Sequence, residues 1–536
     1  MSLLIDEFGR PIILFDARNT KQRMKGAEAY KSNILAARGI SSALRSSLGP
    51  KGMDKMLISQ DGDVCVTNDG ATILQEMSVE HPVAKLLVEL SQSQDNEIGD
   101  GTTGVVVLAG SLLEQAQKLL ERGLHPLQII EGFDKGCEIA LKELENIKTK
   151  IDIKNNDDLI KAAKTALCSK VVSKYQQKFA DICFKAIDAV ADKERKDVNF
   201  EMIKVVGKVG GSLEDTTFVN GIVLDKEMSH PQMDKNLTDA KICILTTPFE
   251  PPKPKTKHNI EIKDAEAYKK LYEQEQNYFK NMVKSVKDAG ANLVICQWGF
   301  DDEANHLLME NKIPAIRWVG GQEIELIALA TGGRIISRFD EIEDQKLGRA
   351  RVVKEKSFGT DGQKMIVIEE CLTTKAVTIL VRGGSQMIVD EAKRCIHDAL
   401  CVIRNMIKNP EIVYGGGAAE IACAIAVDNA ANACSTIDQY AIRGFGEALE
   451  QIPIALAENS GYNGIEYLAD LRALQRDKSN PYIGVDCMRV GTNNMQLQFI
   501  YEGYESKKQQ FQLATQVCKM ILKIDDVIKP HDMEEI

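Results

Sequence analysis

Apolar residues first recur at helical spacing between Lys21 and Ser47, through Ala27, Ile34, Ala37, Ile40 and Leu44, which is the stripe of an amphipathic helix. Residues 1–20 before it are mixed and read as an extended arm. The stripe stops at Leu48-Gly49-Pro50-Lys51-Gly52, a cluster of helix breakers. Short apolar runs at 56–58 and 64–67 flank Asp61-Gly62 and predict a hairpin. Asn68-Asp69-Gly70-Ala71-Thr72-Ile73 predicts a turn that opens a helix. Helical periodicity returns at 84–93 and again at 111–121, where Arg122-Gly123 and His125-Pro126 end it. Another helix is predicted to about Ile147, and 151–200 read as helical with polar spacers such as Asn155-Asn156-Asp157-Asp158.

At Met202 the period changes. Short β-branched runs appear at 203–206, 221–224, 242–246, 292–296, 315–319, 335–337, 365–368 and 377–381, with helical segments between several of them. That alternation predicts an α/β module inserted into a helical frame. After Glu391 the pattern is helical again to about Glu458, so the change is bracketed by boundaries near 150–220 and 370–400. Within the module, Pro251-Pro252-Lys253-Pro254-Lys255 admits no regular element. Tyr268, Leu271, Tyr272, Phe279, Met282, Val283 and Val286 follow at helical spacing among Lys269, Lys270, Glu273, Glu275, Lys280 and Lys284. So narrow an apolar stripe suits either a helix packed on its own domain or a projecting arm, at about 248–287, that docks on another chain.

Composition narrows the class. A length of 536 residues corresponds to about three domains at ~150 residues each. A net charge of −11 argues against a general nucleic-acid binder, and no apolar run approaches membrane-spanning length. The 13 cysteines include no C-x-x-C pair and read as reduced thiols of a cytoplasmic protein. Neither nucleic acid nor membrane is expected as a partner.

The chemistry concentrates at Asp95-Asn96-Glu97-Ile98-Gly99-Asp100-Gly101-Thr102-Thr103-Gly104, ahead of the apolar run Val105-Val106-Val107-Leu108-Ala109. Glycine lets the backbone approach a ligand and take positive φ. The threonine amides then lie at a helix N-terminus, where unpaired N–H groups favour phosphate. Asp100 would repel that phosphate unless a hard cation such as Mg²⁺ lay between them. The same glycines fit the dinucleotide fingerprint G-x-G-x-x-G, which requires a preceding strand. A glycine-rich helix start with no ligand satisfies the spacing too. Later, Tyr414-Gly415-Gly416-Gly417-Ala418-Ala419-Glu420 permits close approach to a flat or phosphorylated ligand, and Asp486 after Tyr482-Ile483-Gly484-Val485 reads as a ribose acceptor or an ordinary turn residue.

Taken together, Leu48-Gly49-Pro50-Lys51-Gly52-Met53-Asp54-Lys55, Asn68-Asp69-Gly70-Ala71-Thr72-Ile73-Leu74, Gly99-Asp100-Gly101-Thr102-Thr103, His397-Asp398-Ala399-Leu400 and Gly415-Gly416-Gly417-Ala418 resemble the group II chaperonins in order and along the whole chain. Within that family the chain looks most like one subunit class of the eukaryotic CCT/TRiC branch, through Asp6-Glu7-Phe8-Gly9-Arg10-Pro11 and the stretch 413–421. It departs at Ser46, where the family commonly has Thr, and at Gly104, where many members have Ser.

The resemblance implies a multi-domain chaperonin fold: a mostly α-helical equatorial ATPase domain (1–150 and 405–536), a small intermediate hinge domain (151–220 and 371–404) and an α/β apical domain (221–370) with a helical lid protrusion. It implies ATP and Mg²⁺ as ligands, and seven paralogous subunits as partners in a hetero-oligomeric double ring. Unfolded protein clients, actin and tubulin among them, complete the expectation. Carried over position by position, Asp100 resembles the Mg²⁺ ligand, and Gly49, Pro50, Gly101, Thr102 and Thr103 resemble the phosphate cradle. Asp69 and Asp398 match the carboxylates that orient or deprotonate the attacking water. Gly416 and Asp486 match the nucleoside pocket, with Ser169, Lys170, Glu502 and Lys507 as neighbours. Asp398 by itself is an unremarkable helix residue, so its role rests on the resemblance. Two other classes make opposite demands. A dehydrogenase or small-molecule kinase requires a strand before Gly99, and a non-catalytic ring scaffold predicts loss of Asp69, Asp100 or Asp398, all of which are present.

Overall fold

The chain becomes helical where its first apolar stripe begins. Gly26, at φ 57°, precedes a helix at Ala27–Arg45 that buries Ile34, Ala37, Ile40 and Leu44. The computed structural model describes residues 2–5, 11–14 and 23–528, apart from 60–61, 63, 78, 153–155, 193, 252–261, 263, 359–362, 374–375 and 479. The chain divides into two compact units, Met1–Asn155 with Asn409–Ile536, and Asn156–Lys408.

The first unit is built around the helix Thr102–Glu121, whose Val105, Val106, Val107, Leu108, Ala109, Leu112 and Leu113 are all buried. A helix apolar on every face must be surrounded. Here Ala27–Arg45, Pro82–Glu97, Pro126–Ile147, Asp438–Leu449 and Tyr504–Leu522 pack around it. Where helices cross most closely, glycine is obligatory. A Cβ at Gly110 would lie 2.2 Å from Ser41 Cβ, and one at Gly132 would lie 2.3 Å from Ala441 Cβ. The hairpin expected around Asp61-Gly62 forms from Lys55–Ile58 and Val64–Thr67 and leaves Met56, Ile58 and Val64 exposed. Its turn lies largely outside the described residues.

The second unit holds two larger cores. One gathers Phe179, Ile182, Ile187, Ile379, Val381, Ile396 and Ile403 around the helices Gln176–Val190 and Gln386–Lys408. Their strand layer is Ile203–Val209, Val377–Gly383 and Thr217–Val219. The other core lines a mixed sheet, in the order Ala315–Ile316, Leu293–Cys296, Asn236–Leu245, Gly348–Phe358, Gln363–Cys371, Gly221–Leu224, with Ile335–Ile336 also paired to Asn236–Leu245. Each β-branched run found in the sequence falls on one of these strands. The strand Gly348–Phe358 was not expected. Its Arg349, Arg351, Lys354, Glu355 and Lys356 mask the buried Ala350 and Val353.

The helix Ala265–Asp288 corrects the reading of 248–287 as an arm throughout. Tyr268, Leu271, Tyr272 and Tyr278 are exposed, but Phe279, Met282, Val283 and Val286 are buried in the sheet's core. The apolar stripe is therefore core from Phe279 onward. Most of the proline cluster at 251–254 lies outside the described residues. Among the described residues no helix is long and apolar enough to cross a membrane.

The glycines supply a test with a sign. Gly39 sits in the Ala27–Arg45 helix with nothing within 4 Å of an added Cβ, so Gly39→Ala should stabilise by about 0.5–1 kcal/mol. Gly132→Ala gains the same propensity but forces the helices Pro126–Ile147 and Asp438–Leu449 apart, and overpacking of that kind costs about 1–3 kcal/mol. Urea unfolding of the chain should move the midpoint up for the first and down for the second.

Candidate functional site

Two helix starts in the first unit meet head to head. Asp69 caps the short helix Gly70–Glu76: its Oδ2 accepts from the Thr72 amide at 3.0 Å and from Thr72 Oγ1 at 2.8 Å. Its Oδ1 accepts from Thr102 Oγ1 at 2.9 Å, at the first residue of the helix Thr102–Glu121. The fit leaves no room for a side chain, because a Cβ on Gly70 would lie 2.7 to 2.8 Å from Thr103 Oγ1, Cα and N. Both positive helix ends thus bracket one carboxylate.

The loop carrying Asp100 is shaped by its neighbours' side chains. The helix Pro82–Glu97 ends just before Gly99, at φ 73°, and Gly101 follows at φ 77°. Gln94 Nε2 donates to the Asp100 carbonyl at 3.0 Å, and Gln510 Nε2 donates to the Gly101 carbonyl at 3.1 Å. A Cβ on Gly101 would fall 1.8 Å from Gln510 Nε2, so the position demands glycine for space as well as for φ. Gly101 is the N-cap residue and brings no capping side chain. The first-turn amides of Thr102–Glu121 are thereby suited to an anion. Because a helix precedes Gly99, the strand that a dinucleotide fingerprint requires is not there.

Gly49, at φ 86°, lies in a closed turn in which Gly52 N–H donates to Gly49 O at 2.9 Å and Met53 N–H to Ser46 O at 2.9 Å. Asn459 Nδ2 straps this turn by donating to Arg45 O at 2.9 Å and Leu48 O at 2.8 Å. Pro50 belongs to the same turn.

The triple glycine follows the strand Glu411–Tyr414 and opens the helix Ala418–Ala433, with Gly416 at φ 67° and Gly417 at φ 76°. The Val485 amide donates to Gly416 O at 2.8 Å, which brings Asp486 beside the turn. Asp486 is buried, and its Oδ1 accepts from Val490 N–H at 3.1 Å while its Oδ2 accepts from Gly491 N–H at 2.8 Å. Burial raises its carboxyl, but the Gly491 and Val490 amides outweigh that and hold it below the usual carboxylate range. It is a loop clamp whatever else it contacts. Glu502 and Lys507 lie on the far side of the turn, with Lys507 Nζ at 2.7 Å from Glu502 Oε2.

In the second unit, Lys170 Nζ donates to Asp398 Oδ2 in a largely buried ion pair. Asp398 projects from the helix Gln386–Lys408, and Ser169 stands next to Lys170, ahead of the 3₁₀ turn Val171–Tyr175. The structure thus brings Asp69, Asp100, Gly101, Thr102 and Thr103 together, pairs Lys170 with Asp398, and joins Gly416, Asp486, Glu502 and Lys507 around one turn. Sequence reasoning missed Gln94, Gln510 and Glu420. Gln510 acts across 409 positions, and no local pattern marks it.

Mg²⁺ fits this donor set. Among the described residues no three His, Cys, Asp or Glu side chains gather as a self-sufficient metal cage. Mg²⁺ takes one or two carboxylates with substrate phosphates and waters, and Asp100 stands beside a helix start whose first-turn amides suit a phosphate.

The family profile of the TCP-1/cpn60 chaperonins matches residues 40–532. The chain is 50% identical to the T-complex protein 1 subunit epsilon of Encephalitozoon cuniculi over 533 residues, 99% of each protein. It is 42% identical to the thermosome subunit alpha of Archaeoglobus fulgidus over 529 residues, covering 98% of this chain and 96% of that one. With a thermosome subunit of Methanopyrus kandleri the identity is 41% over 516 residues, covering 96% and 94%. Epsilon is the subunit class toward which the stretches 6–11 and 413–421 point.

The cap at Asp69 is testable apart from any activity. Asp69→Ala removes an N-cap and the bond to Thr102, and should destabilise the helix Gly70–Glu76 by about 1–2 kcal/mol. Asp69→Asn caps almost as well and should lose far less. Hydrogen exchange of the amides in that helix should rise in the alanine variant and stay near wild type in the asparagine variant.

Proposed function

Because this chain belongs to the TCP-1/cpn60 chaperonin family, we propose that its ATP site is the meeting of the Gly70–Glu76 and Thr102–Glu121 helix starts, with Asp100 as the Mg²⁺ ligand. The chain is an ATP-dependent chaperonin of group II. The observation that carries the site assignment is the abutment of two positive helix ends beside a loop in which Gly101 has no room for a side chain. Thr102 and Thr103 amides would hold phosphate, with Gly49 and Pro50 at its flank, and Gly416, Asp486, Glu502 and Lys507 would frame the nucleoside. Mg²⁺ supplies charge neutralisation when bound.

Phosphoryl transfer to water needs positioning and charge compensation more than covalent help. Asp69 is held by Thr72 and Thr102 and so presents a fixed carboxylate to a water. Asp398, oriented by Lys170, is the proposed base, with Ser169 beside it; this role rests on family resemblance.

The domain limits 1–150, 151–220, 221–370, 371–404 and 405–536 belong to the same reading. So do a cytoplasmic location and membership with seven paralogous subunits in a hetero-oligomeric double ring that encloses unfolded clients, actin and tubulin included. The relatives' names, subunits of T-complex protein 1 and of the thermosome, favour assembly. Met56, Ile58 and Val64, exposed on the hairpin, are apolar surface that a neighbouring subunit would cover.

Two experiments test this. Asp398→Ala should keep ATP binding and lose single-turnover phosphate release by about 10²–10⁴-fold, the usual loss on removing a general base. Asp100→Ala should weaken Mg²⁺-nucleotide binding itself. Normal turnover in the first variant would refute the assignment of Asp398. The proposed lid is tested by limited proteolysis. Cleavage should fall between about 250 and Tyr278 in the nucleotide-free particle, spare the buried segment from Phe279, and be suppressed during ATP turnover. Equal protection in both states would make the segment ordinary core, and equal cleavage in both would make it ordinary surface; either refutes the lid.

A further inference from the structure

One buried ionic cluster is larger than a structural pair needs to be. Lys507 Nζ lies 2.5 Å from Glu420 Oε1 and 2.7 Å from Glu502 Oε2, so one ammonium serves two carboxylates. The Glu420 side chain is 0% exposed, and its Oε2 is buried with no hydrogen-bond partner among the described residues. Taking a carboxylate out of water is costly unless it is paired, and Glu420 has only half of its acceptor capacity met. The second carboxylate is not needed to neutralise Lys507.

The location of the cluster explains the surplus. Glu420 stands in the first turn of the helix Ala418–Ala433, just past the triple glycine. Glu502, on the strand Tyr501–Gly503, presses on that turn, since a Cβ at Gly415 would lie 2.5 Å from its Oε1. Lys507 is three positions before Gln510 on the helix Tyr504–Leu522, and Gln510 holds the Gly101 carbonyl. One helix turn therefore links the triple-glycine turn to the loop that carries Asp100. Burial pushes the Glu502 carboxyl up, with Lys507 opposing the rise and the Glu420 charge adding to it. Burial lowers the Lys507 ammonium, but Glu420 and Glu502 outweigh it and hold the group above its ordinary range.

We infer that Glu420 is a positioning residue of the nucleotide site, acting through Lys507 to set the placement of Glu502 against the triple-glycine turn. The inference rests on the reading of this chain as a nucleotide-binding subunit. Glu420 contacts no nucleotide itself. It takes one of the ammonium's three N–H donors, so that Glu502 receives another and is not drawn wholly onto the ammonium. Glu420→Gln keeps the shape, removes the charge and releases Lys507 toward Glu502.

The test uses the assembled particle carrying the change in this chain, with an azido-ATP photolabel read on this subunit. Glu420→Gln should raise the apparent Kd roughly tenfold, as expected of residues coupled in one network, with single-turnover hydrolysis at saturating ATP within about twofold of wild type. In a Glu502→Gln background the same change should add almost nothing, because the intermediary is gone. An unchanged Kd, equal losses in affinity and rate, or additive effects in the double variant would each overturn the inference. So would a Glu420→Gln chain that fails to enter the particle while Glu502→Gln enters normally, since Glu420 then serves folding. If the wild-type chain takes no label, the underlying reading of a nucleotide site fails instead, and the two failures are told apart by that control.

Discussion

The hydrogen bond from Thr102 Oγ1 to Asp69 Oδ1 is the constraint on which the rest of the first unit's geometry depends. Two helices that meet by their N-termini bring like partial charges together, which is unfavourable unless something negative lies between them. Asp69 is that negative group, and by accepting from Thr72 and Thr102 at once it fixes the angle at which the helices approach. Gly70 follows from this, since any side chain there would collide with Thr103. So does the open first turn of Thr102–Glu121, because Asp69 takes up the Thr102 hydroxyl and Gly101 offers no cap. A junction with this much positive potential still favours a further anion, so the geometry that stabilises the two helix starts is also the one the proposed phosphate site requires.

Much of this was legible in the sequence because it is local chemistry. Asn68-Asp69-Gly70 had to be a turn that opens a helix, and Asp69 is its cap. Arg122-Gly123 and His125-Pro126 do end one helix and begin the next, with His125 Nδ1 accepting from Leu127 N–H. The break in period at Met202 and the return of helix after Glu391 were visible because two-residue and 3.6-residue patterns differ over any long window. The chain's division falls at Asn155 and Asn409, set by which apolar faces find each other.

What stayed hidden was encoded at a distance or masked by charge. The strand Gly348–Phe358 shows so many charged residues that its alternation does not register as apolar, yet Arg351 pairs with Glu370 and Lys354 with Glu369 across the ladder. Those outward charges are cross-strand partners on a half-buried sheet. The helix Ala265–Asp288 misled in the opposite sense. Its charge density suggested a free arm, but the four apolar residues from Phe279 to Val286 are enough to fill the core beneath it. Asp486 shows what such a position leaves open. An isolated Asp after an apolar run reads as a ribose acceptor or a turn residue, and its oxygens accept from the amides of Val490 and Gly491, a turn role that no local pattern marks.

The site's order of assembly follows from the same long-range dependence. The Asp100 loop is complete only when Gln510 reaches the Gly101 carbonyl, and those residues are separated by 409 positions. The whole of the second unit, Asn156–Lys408, intervenes between them. Closing so long a loop carries an entropic cost that grows only slowly with length, but it must be met before the contact returns anything, which slows folding. The near end of the insertion limits that cost. Thr149–Lys150 pairs with the strand Glu411–Tyr414, Ile151 N–H donates to Pro410 O at 3.0 Å, and Lys148 lies 3.1 Å from Glu411. These contacts zip the departing and returning chains together within the first unit. Once they form, the effective loop to Gln510 is a fraction of its contour length. The triple-glycine turn then emerges from a strand already paired on both sides, to Thr149–Lys150 and to Tyr501–Gly503. The helix Tyr504–Leu522 carries Lys507 and Gln510 together. The proposed nucleotide site therefore depends on the helix Tyr504–Leu522, although nearly every residue that would touch phosphate lies within the first 103 positions.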